Sequence, residues 1–168
     1  MSTVQTLISP ATLSTESRKQ IDQWLKKFPS SEKQSAVIAA LHIVQDENGG
    51  WLSNELIEGV AQYLQMPKIA VYEVATFYTM FELKPTGKHK IYLCTNVSCM
   101  LCGCGNIADH LKQKLGIDFN ETSTDGQFTL KAVECLAACG GAPMMQIGKT
   151  YYENLTPEKV DHILAGLD

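Results

Sequence analysis

The sequence predicts an α/β (α+β) chain in two parts, helices first and then strands alternating with helices. Three observations carry this. Up to residue 86, apolar residues recur at three- and four-residue spacings that mark helical faces. Beyond residue 87, short apolar runs bounded by turn residues read as strands, with helical stripes between them. All six cysteines lie between residues 94 and 139, and the first 93 residues have none. Lys84-Pro85-Thr86-Gly87 is a turn and marks the boundary, giving domains 1–86 and 87–168.

Each element has a local signal. Ser14 or Thr15 caps a first helix holding Ile21, Trp24 and Leu25, and Phe28-Pro29-Ser30 breaks it. Ser31 with Gln34 forms a capping-box pattern before a helix with Val37, Ile38, Leu41 and Val44 on one face. Asn48-Gly49-Gly50 stops that helix. Ser53 caps the next, with Leu56, Ile57, Val60, Ala61 and Leu64 inward. Pro67 fits the first turn of a fourth helix, striped by Val71, Val74, Ala75 and Tyr78. These stripes predict helix-on-helix packing. In the second part, His89 to Cys94 reads as a strand. Ile107, Ala108, Leu111 and Leu115 form a helical face stopped by Gly116. Thr124-Asp125-Gly126 is a turn, and Phe128, Leu130 and Ala132 alternate as in a strand. Met144 to Ile147 and the segment around Tyr151-Tyr152 form a strand pair. Thr156 caps a last helix with Pro157 at its first position and Val160, Ile163, Leu164 and Leu167 inward. The order β-α-β-β-α suits a small thioredoxin-like layer of sheet and helices. There is no internal repeat and no low-complexity segment.

Composition narrows the function. The 168 residues are 45% apolar and 19% charged, which is globular. Fourteen Lys plus Arg against eighteen Asp plus Glu give a net charge of −4, and no basic run exceeds two residues, so nucleic acid is not an expected partner. No apolar run approaches the roughly 18 residues of a membrane span. Met1 to Ile8 has neither a basic region nor a long apolar region, so no secretory signal is expected. An Arg-rich transit peptide is also missing. The expected compartment is a bacterial cytosol. Thiols stay reduced there, so six clustered cysteines point to metal or redox chemistry rather than disulfides.

Cys94 and Cys99 have four residues between them, and Cys135 and Cys139 have three. Each pair follows a predicted strand. A binuclear iron–sulfur cluster uses such pairs: two bridging sulfides supply half of each tetrahedron, so each iron wants two thiolates. Ala137, Ala138, Gly140, Gly141 and Ala142 let backbone approach, and its N–H groups can donate to sulfur. Spacing alone leaves alternatives. Cys94, Cys99 and Cys102 also follow the plant-type ferredoxin spacing, Cys99 and Cys102 form a C-x-x-C dithiol, and four cysteines can hold zinc.

A longer pattern adds to the cysteine spacing. The chain reads Tyr72-Glu73-Val74-Ala75-Thr76-Phe77-Tyr78, then Cys94-x4-Cys99, then Phe128-Thr129-Leu130. It continues with Glu134-Cys135-Leu136-Ala137-Ala138-Cys139 and Ala142-Pro143-Met144. This pattern, from about residue 15 to the C-terminus, resembles the NuoE-type thioredoxin-like [2Fe–2S] subunits of NADH:quinone oxidoreductase, respiratory complex I. The resemblance implies an N-terminal helical bundle that docks a partner, then a thioredoxin-like [2Fe–2S] ferredoxin domain. It implies one [2Fe–2S] cluster on Cys94, Cys99, Cys135 and Cys139. It also implies that FMN and the NADH site lie on a neighbouring NuoF-type subunit, in a heterodimer within the peripheral arm. The cluster would exchange single electrons with that FMN, off the main line of clusters to quinone. The complex would sit on the cytoplasmic face of the inner membrane without this chain touching lipid. An NAD-linked hydrogenase or formate dehydrogenase is the nearest alternative setting. A zinc-binding interaction module and a dithiol oxidoreductase are the others.

The remaining residues fit around this reading. Cys102 and Cys104 depart from the family pattern and are expected to be neutral, partly exposed loop thiols, with cluster rescue or redox sensitivity as the alternative. His42, His89, His110 and His162 show no metal spacing and are expected to be structural or at the surface. Glu73 is expected on a solvated face, with a buried pair at the partner interface as the alternative. Phe77, Tyr78, Met80 and Phe81 read as core, with an interface patch as the alternative. Pro143 is a candidate for a cis bond. The chain has no G-x-G-x-x-G, no P-loop and no nucleophile motif, so no catalytic residue is assigned and no NADH site is expected on it. A hydride carries two electrons and an iron–sulfur cluster takes one, so a flavin must stand between them on another chain.

Overall fold

The computed structural model describes residues 13–167. The expectation concerning Met1 to Ile8 therefore lies outside the described residues. Chain contacts divide the protein into two compact units, Met1–Pro85 and Thr86–Asp168. Among the described residues no helix is long and apolar enough to cross a membrane.

Among its described residues the first unit is helical: α1 (Thr15–Leu25), α2 (Val37–Glu47), α3 (Asn54–Leu64) and α4 (Lys68–Phe77). Ser14 caps α1 by accepting the Ser17 N–H at 2.9 Å. Ser53 does the same for α3 through the Leu56 N–H at 3.3 Å. Ile21, Leu41, Val44, Ile57, Val60, Leu64, Val71 and Ala75 share one buried core. Trp24 departs from its expected inward place: it lies at the surface, with Lys27 Nζ 3.5 Å from the ring centroid. The capping box at Ser31 does not form. The Glu32 N–H donates to the Pro29 carbonyl at 2.8 Å, so a turn precedes Lys33–Ala36, a single 3-10 turn that leads into α2. Pro67 stands just before α4 rather than within its first turn. Beyond α4 the chain returns to α2 through the buried Gln45. Its Nε2 donates to the Met80 carbonyl at 3.1 Å, and its Oε1 accepts the Glu82 N–H at 2.8 Å. That clamp buries Phe81 and leaves Phe77, Tyr78 and Met80 exposed, so the apolar run divides between core and surface.

The second unit is a five-stranded sheet with helices. Its elements are β1 (His89–Cys94), α5 (Val97–Leu101), α6 (Cys104–Leu115), β2 (Glu121–Thr122), β3 (Phe128–Val133), β4 (Met145–Ile147), β5 (Thr150–Tyr152) and α7 (Pro157–Ala165). The strand order is β2-β3-β1-β4-β5. β1 and β3 are parallel, with Ile91 opposite Leu130 and Cys94 opposite Val133; the other pairs are antiparallel. Ile91, Leu93, Leu130 and Met145 pack with Ile107 and Leu111 of α6 and Val160 of α7 in one core. Asp161 of α7 meets His110 at 2.9 Å and Lys114 at 3.2 Å on α6. These contacts hold the Asp161 carboxyl below its usual range, His110 contributing most. Gly87 opens the unit at a backbone crossing. Its N–H donates to Thr129 Oγ1 at 2.7 Å, and a Cβ there would lie 2.8 Å from the Phe128 backbone. Two elements had no periodic signal to reveal them: β2 has two exposed residues and α5 has five residues in all.

The buried strand residue Leu130 and the exposed helix residue Leu101 give a contrast. Leu130→Ala is expected to lower unfolding free energy by about 2–5 kcal/mol through the cavity it leaves. Leu101→Ala is expected to stay within about 0.5 kcal/mol. Urea unfolding midpoints of the two variants check this.

Candidate metal centre

The parallel pairing of β1 with β3 places the carboxyl ends of both strands at the same edge of the sheet. Cys94 is the last residue of β1, and Cys135 follows the end of β3 by two residues. Parallel α/β sheets bind ligands at that edge because the loops leave from there. The two loops are tied together. The Thr95 N–H donates to the Val133 carbonyl at 2.9 Å, and the Asn96 side-chain amide donates to the Glu134 carboxylate at 2.7 Å. Antiparallel β4 arrives at the same edge, where the Met144 carbonyl accepts the Cys94 N–H at 3.2 Å.

The first thiol pair is buried. Cys94 is 3% exposed and Cys99 is 1% exposed. Ile91 and Leu93 of β1 lie in the helix-covered core, and Cys94 follows them at the carboxyl end of the strand. There Cys94, Cys99, Cys104 and Met144 form a separate small cluster, with Leu136, Ala138 and Ala142 against it. Asn96 makes the loop compact: its side chain accepts the Val97 N–H at 2.8 Å and starts α5, which carries Cys99 inward. Burial pushes the Cys99 thiol up to about 11, helped by its hydrogen bond with Cys94. A backbone hydrogen bond from Met144 opposes that shift by favouring the thiolate.

The second pair lies at the surface. Cys135 and Cys139 are both exposed, with their Sγ atoms 3.8 Å apart. A metal–thiolate bond of about 2.3 Å sets a tetrahedral edge of about 3.8 Å, so this pair spans one edge of a metal's tetrahedron. Ala137 lies between them at φ 62°, a left-handed conformation, and its N–H donates to Cys135 Sγ at 3.3 Å. Cys139 opens a 3-10 turn, Cys139–Gly141, before the cis Ala142–Pro143 bond. Gly141 is required by packing, since a Cβ there would land on the Glu153 side chain.

The structure thus gathers the four cysteine positions at one edge, as two pairs. Among the described residues no three His, Cys, Asp or Glu side chains surround one point as ligands of a single ion. Two thiols per iron is the demand of a binuclear cluster, and the donor set fits that group. The structure also separates the two remaining thiols. Cys102 is exposed, as expected. Cys104 is not a loop thiol: it begins α6 and is 4% exposed, because Gly103 at φ 86° turns the chain inward. Spacing held no signal for that turn beyond the glycine itself. Met144, read from sequence as the start of a strand, also brackets Cys94 and Cys99 with its backbone groups. Glu73 is exposed. His42 and His89 make tilted ring contacts with Phe81 and Phe128.

Burial and raised thiol pKa act in the same direction on reactivity. In metal-free chain at pH 8, iodoacetamide is expected to modify Cys102, Cys135 and Cys139 well before Cys94, Cys99 and Cys104. Peptide mass spectrometry over a time course reads the order; early labelling of Cys99 contradicts the buried pocket.

The family model described as thioredoxin-like [2Fe–2S] ferredoxin matches residues 21–168. The chain is 49% identical over 143 residues to the E subunit of NADH-quinone oxidoreductase from Rickettsia bellii, covering 85% of this chain and 86% of the relative. It is 44% identical over 164 residues to the Rickettsia conorii E subunit, covering 98% of both. It is 45% identical to the E 2 subunit of Rhizobium meliloti, over 88% of this chain and 86% of that one. Among solved structures, an air-oxidized NAD+-reducing [NiFe]-hydrogenase shares the fold with a TM-score of 0.68 at 19% identity. That likeness covers 81% of this chain and 24% of the hydrogenase chain, so this chain spans about a quarter of it. The sequence pattern, the paired thiols and these relatives converge: the chain belongs to the thioredoxin-like [2Fe–2S] ferredoxin family and is a homologue of the E subunits of NADH-quinone oxidoreductase.

Proposed function

We propose that this chain is the electron-transfer subunit of the NADH-oxidising module of NADH:quinone oxidoreductase, with one [2Fe–2S] cluster on Cys94, Cys99, Cys135 and Cys139. The observation that carries this is the placement of two thiol pairs at the carboxyl ends of two adjacent parallel strands. Bound there, the cluster supplies a store for one electron at a time. The chain's own residues set the conditions. Cys94 and Cys99, both buried, would hold one iron away from water, and the exposed Cys135 and Cys139 would hold the other. The N–H groups of Ala137 and Met144 aim at sulfur and favour added negative charge, which raises a potential that four thiolates would otherwise hold low.

Single-electron exchange with FMN and the oxidation of NADH fall to a NuoF-type partner in this reading. The helical unit, residues 1–86, acts as its docking bundle, and residues 87–168 carry the cluster. The chain itself is non-catalytic and sits peripherally at the cytoplasmic face of the bacterial inner membrane. Val97, Met100 and Leu101 support the partner. They are exposed apolar residues on α5, the helix that carries Cys99 inward. An apolar surface beside a redox centre is where a partner chain shortens the electron's path. The relatives from NADH-quinone oxidoreductase favour the quinone-linked complex over a hydrogenase setting.

Iron and acid-labile sulfide, measured on protein purified without oxygen, are expected at about two of each per chain. Zinc without labile sulfide would overturn the reading. Cys139→Ser is expected to lose or alter the cluster's absorption and electron paramagnetic resonance signals, whereas Cys102→Ser keeps both. For the interface, Leu101→Glu is expected to weaken co-purification with the flavin-binding chain while iron content stays at the wild-type level. Undiminished co-purification would remove α5 from the interface.

A further inference from the structure

The buried pocket holds three thiols where the proposed centre uses two. Cys104 is 4% exposed and packs with Cys94, Cys99 and Met144 in one cluster, apart from the main core of its unit. Burial of a cysteine is common in itself. Its company here is not: its neighbours are the two thiols assigned to one iron, whereas the other thiol of that segment, Cys102, is exposed. Gly103 makes the difference between the two positions. Its N–H donates to the Met100 carbonyl at 3.1 Å, and its φ of 86° reverses the chain so that Cys104 opens α6 inside.

The three thiols are not equivalent. Cys94 ends a central strand and its N–H is fixed on the Met144 carbonyl. Cys99 hydrogen-bonds with Cys94, and these two are the pair that the [2Fe–2S] reading assigns to one iron. Yet Cys99 rides on a five-residue helix whose outward face, Val97, Met100 and Leu101, is exposed. Of the two thiols assigned to that iron, Cys94 sits at the end of the central strand and Cys99 on this short helix.

Resting on the [2Fe–2S] reading above, we propose that Cys104 is the reserve ligand of the buried iron, holding it together with Cys94 when Cys99 is lost. In the exchange, the iron–sulfur bond to Cys99 is replaced by one to Cys104. Cys104 gives up its thiol proton and the departing Cys99 sulfur takes one up, so no iron changes oxidation state and net charge is unchanged. In a chain lacking the Cys99 sulfur, the proton goes to solvent.

The test uses full-length chain, reconstituted anaerobically with iron and sulfide, and reads iron, labile sulfide and visible absorption. Cys99→Ala is expected to keep about two irons and two sulfides per chain. Cys99→Ala/Cys102→Ala is expected to match it, and Cys104→Ala alone to match wild type. Cys99→Ala/Cys104→Ala is expected to fall in cluster content by more than about tenfold. Cys99→Ala/Cys104→Ser is expected to shift the charge-transfer bands to shorter wavelength, because oxygen replaces sulfur on the iron. That arm keeps the test decisive if the double alanine variant does not fold, which far-UV circular dichroism shows. Cluster loss in Cys99→Ala while wild type is loaded overturns the reserve role alone, as does an absorption spectrum indifferent to residue 104. Ligand-type loss in Cys104→Ala overturns it by making Cys104 a primary ligand. Wild-type chain without labile sulfide overturns the [2Fe–2S] reading itself, and this proposal with it.

Discussion

The parallel ladder between β1 and β3 is the constraint on which the candidate metal centre depends. Its register sets Cys94 opposite Val133, so the two loops that carry thiols start level with one another. An antiparallel pairing of the same strands would send those loops to opposite edges of the sheet and separate the pairs by the length of a strand. The hydrogen bonds from Thr95 to Val133 and from Asn96 to Glu134 continue this alignment past the end of the ladder. The core beneath enforces the register. Ile91, Leu93 and Leu130 are fully buried, and a slip by one residue would turn them all out of it.

On that frame the two halves of the centre differ in kind. One thiol pair is sealed among Met144, Leu136, Ala138 and Ala142, and the other lies at the surface. In the proposed centre a sealed pair would keep water from its iron and let nearby dipoles act at low dielectric. A surface pair gives another chain a short approach. Backbone supplies a donor to each: Met144 at Cys99 and Ala137 at Cys135. Ala137 reaches its donor position only in a left-handed conformation, and Gly141 reaches its own only by lacking a Cβ. Small residues in this segment therefore serve two separate ends, the aim of an N–H and contact with Glu153.

The helical unit follows different physics. Its described core is built from local stripes on four helices, and its polar clamp is a single buried glutamine. Gln45 satisfies both of its amide groups on the backbone of residues 80 and 82. Leaving either backbone group unpaired there would cost about 1–3 kcal/mol, so the segment after α4 is held to one path. That path decides which aromatic residues are covered: Phe81 goes in and Phe77 stays out.

Short-range signals were enough to set the helices of the first unit, the long strands β1 and β3, the last helix and the spacing of the cysteines. Each rests on a stripe at helical spacing, an alternation, a cap such as Ser14, Ser53 or Thr156, or a spacing within one loop. What depends on distant partners was settled only when the chain folded. Strand order and direction brought residue 94 beside residue 133, and no local pattern encodes that neighbour. The capping box at Ser31 shows a local signal overruled: it was present, and a competing turn from Pro29 to Glu32 won the backbone first. Cys102 and Cys104 are chemically identical two positions apart, yet one is exposed and the other buried. A left-handed glycine stands between them, and a pocket made by three other segments receives only the second.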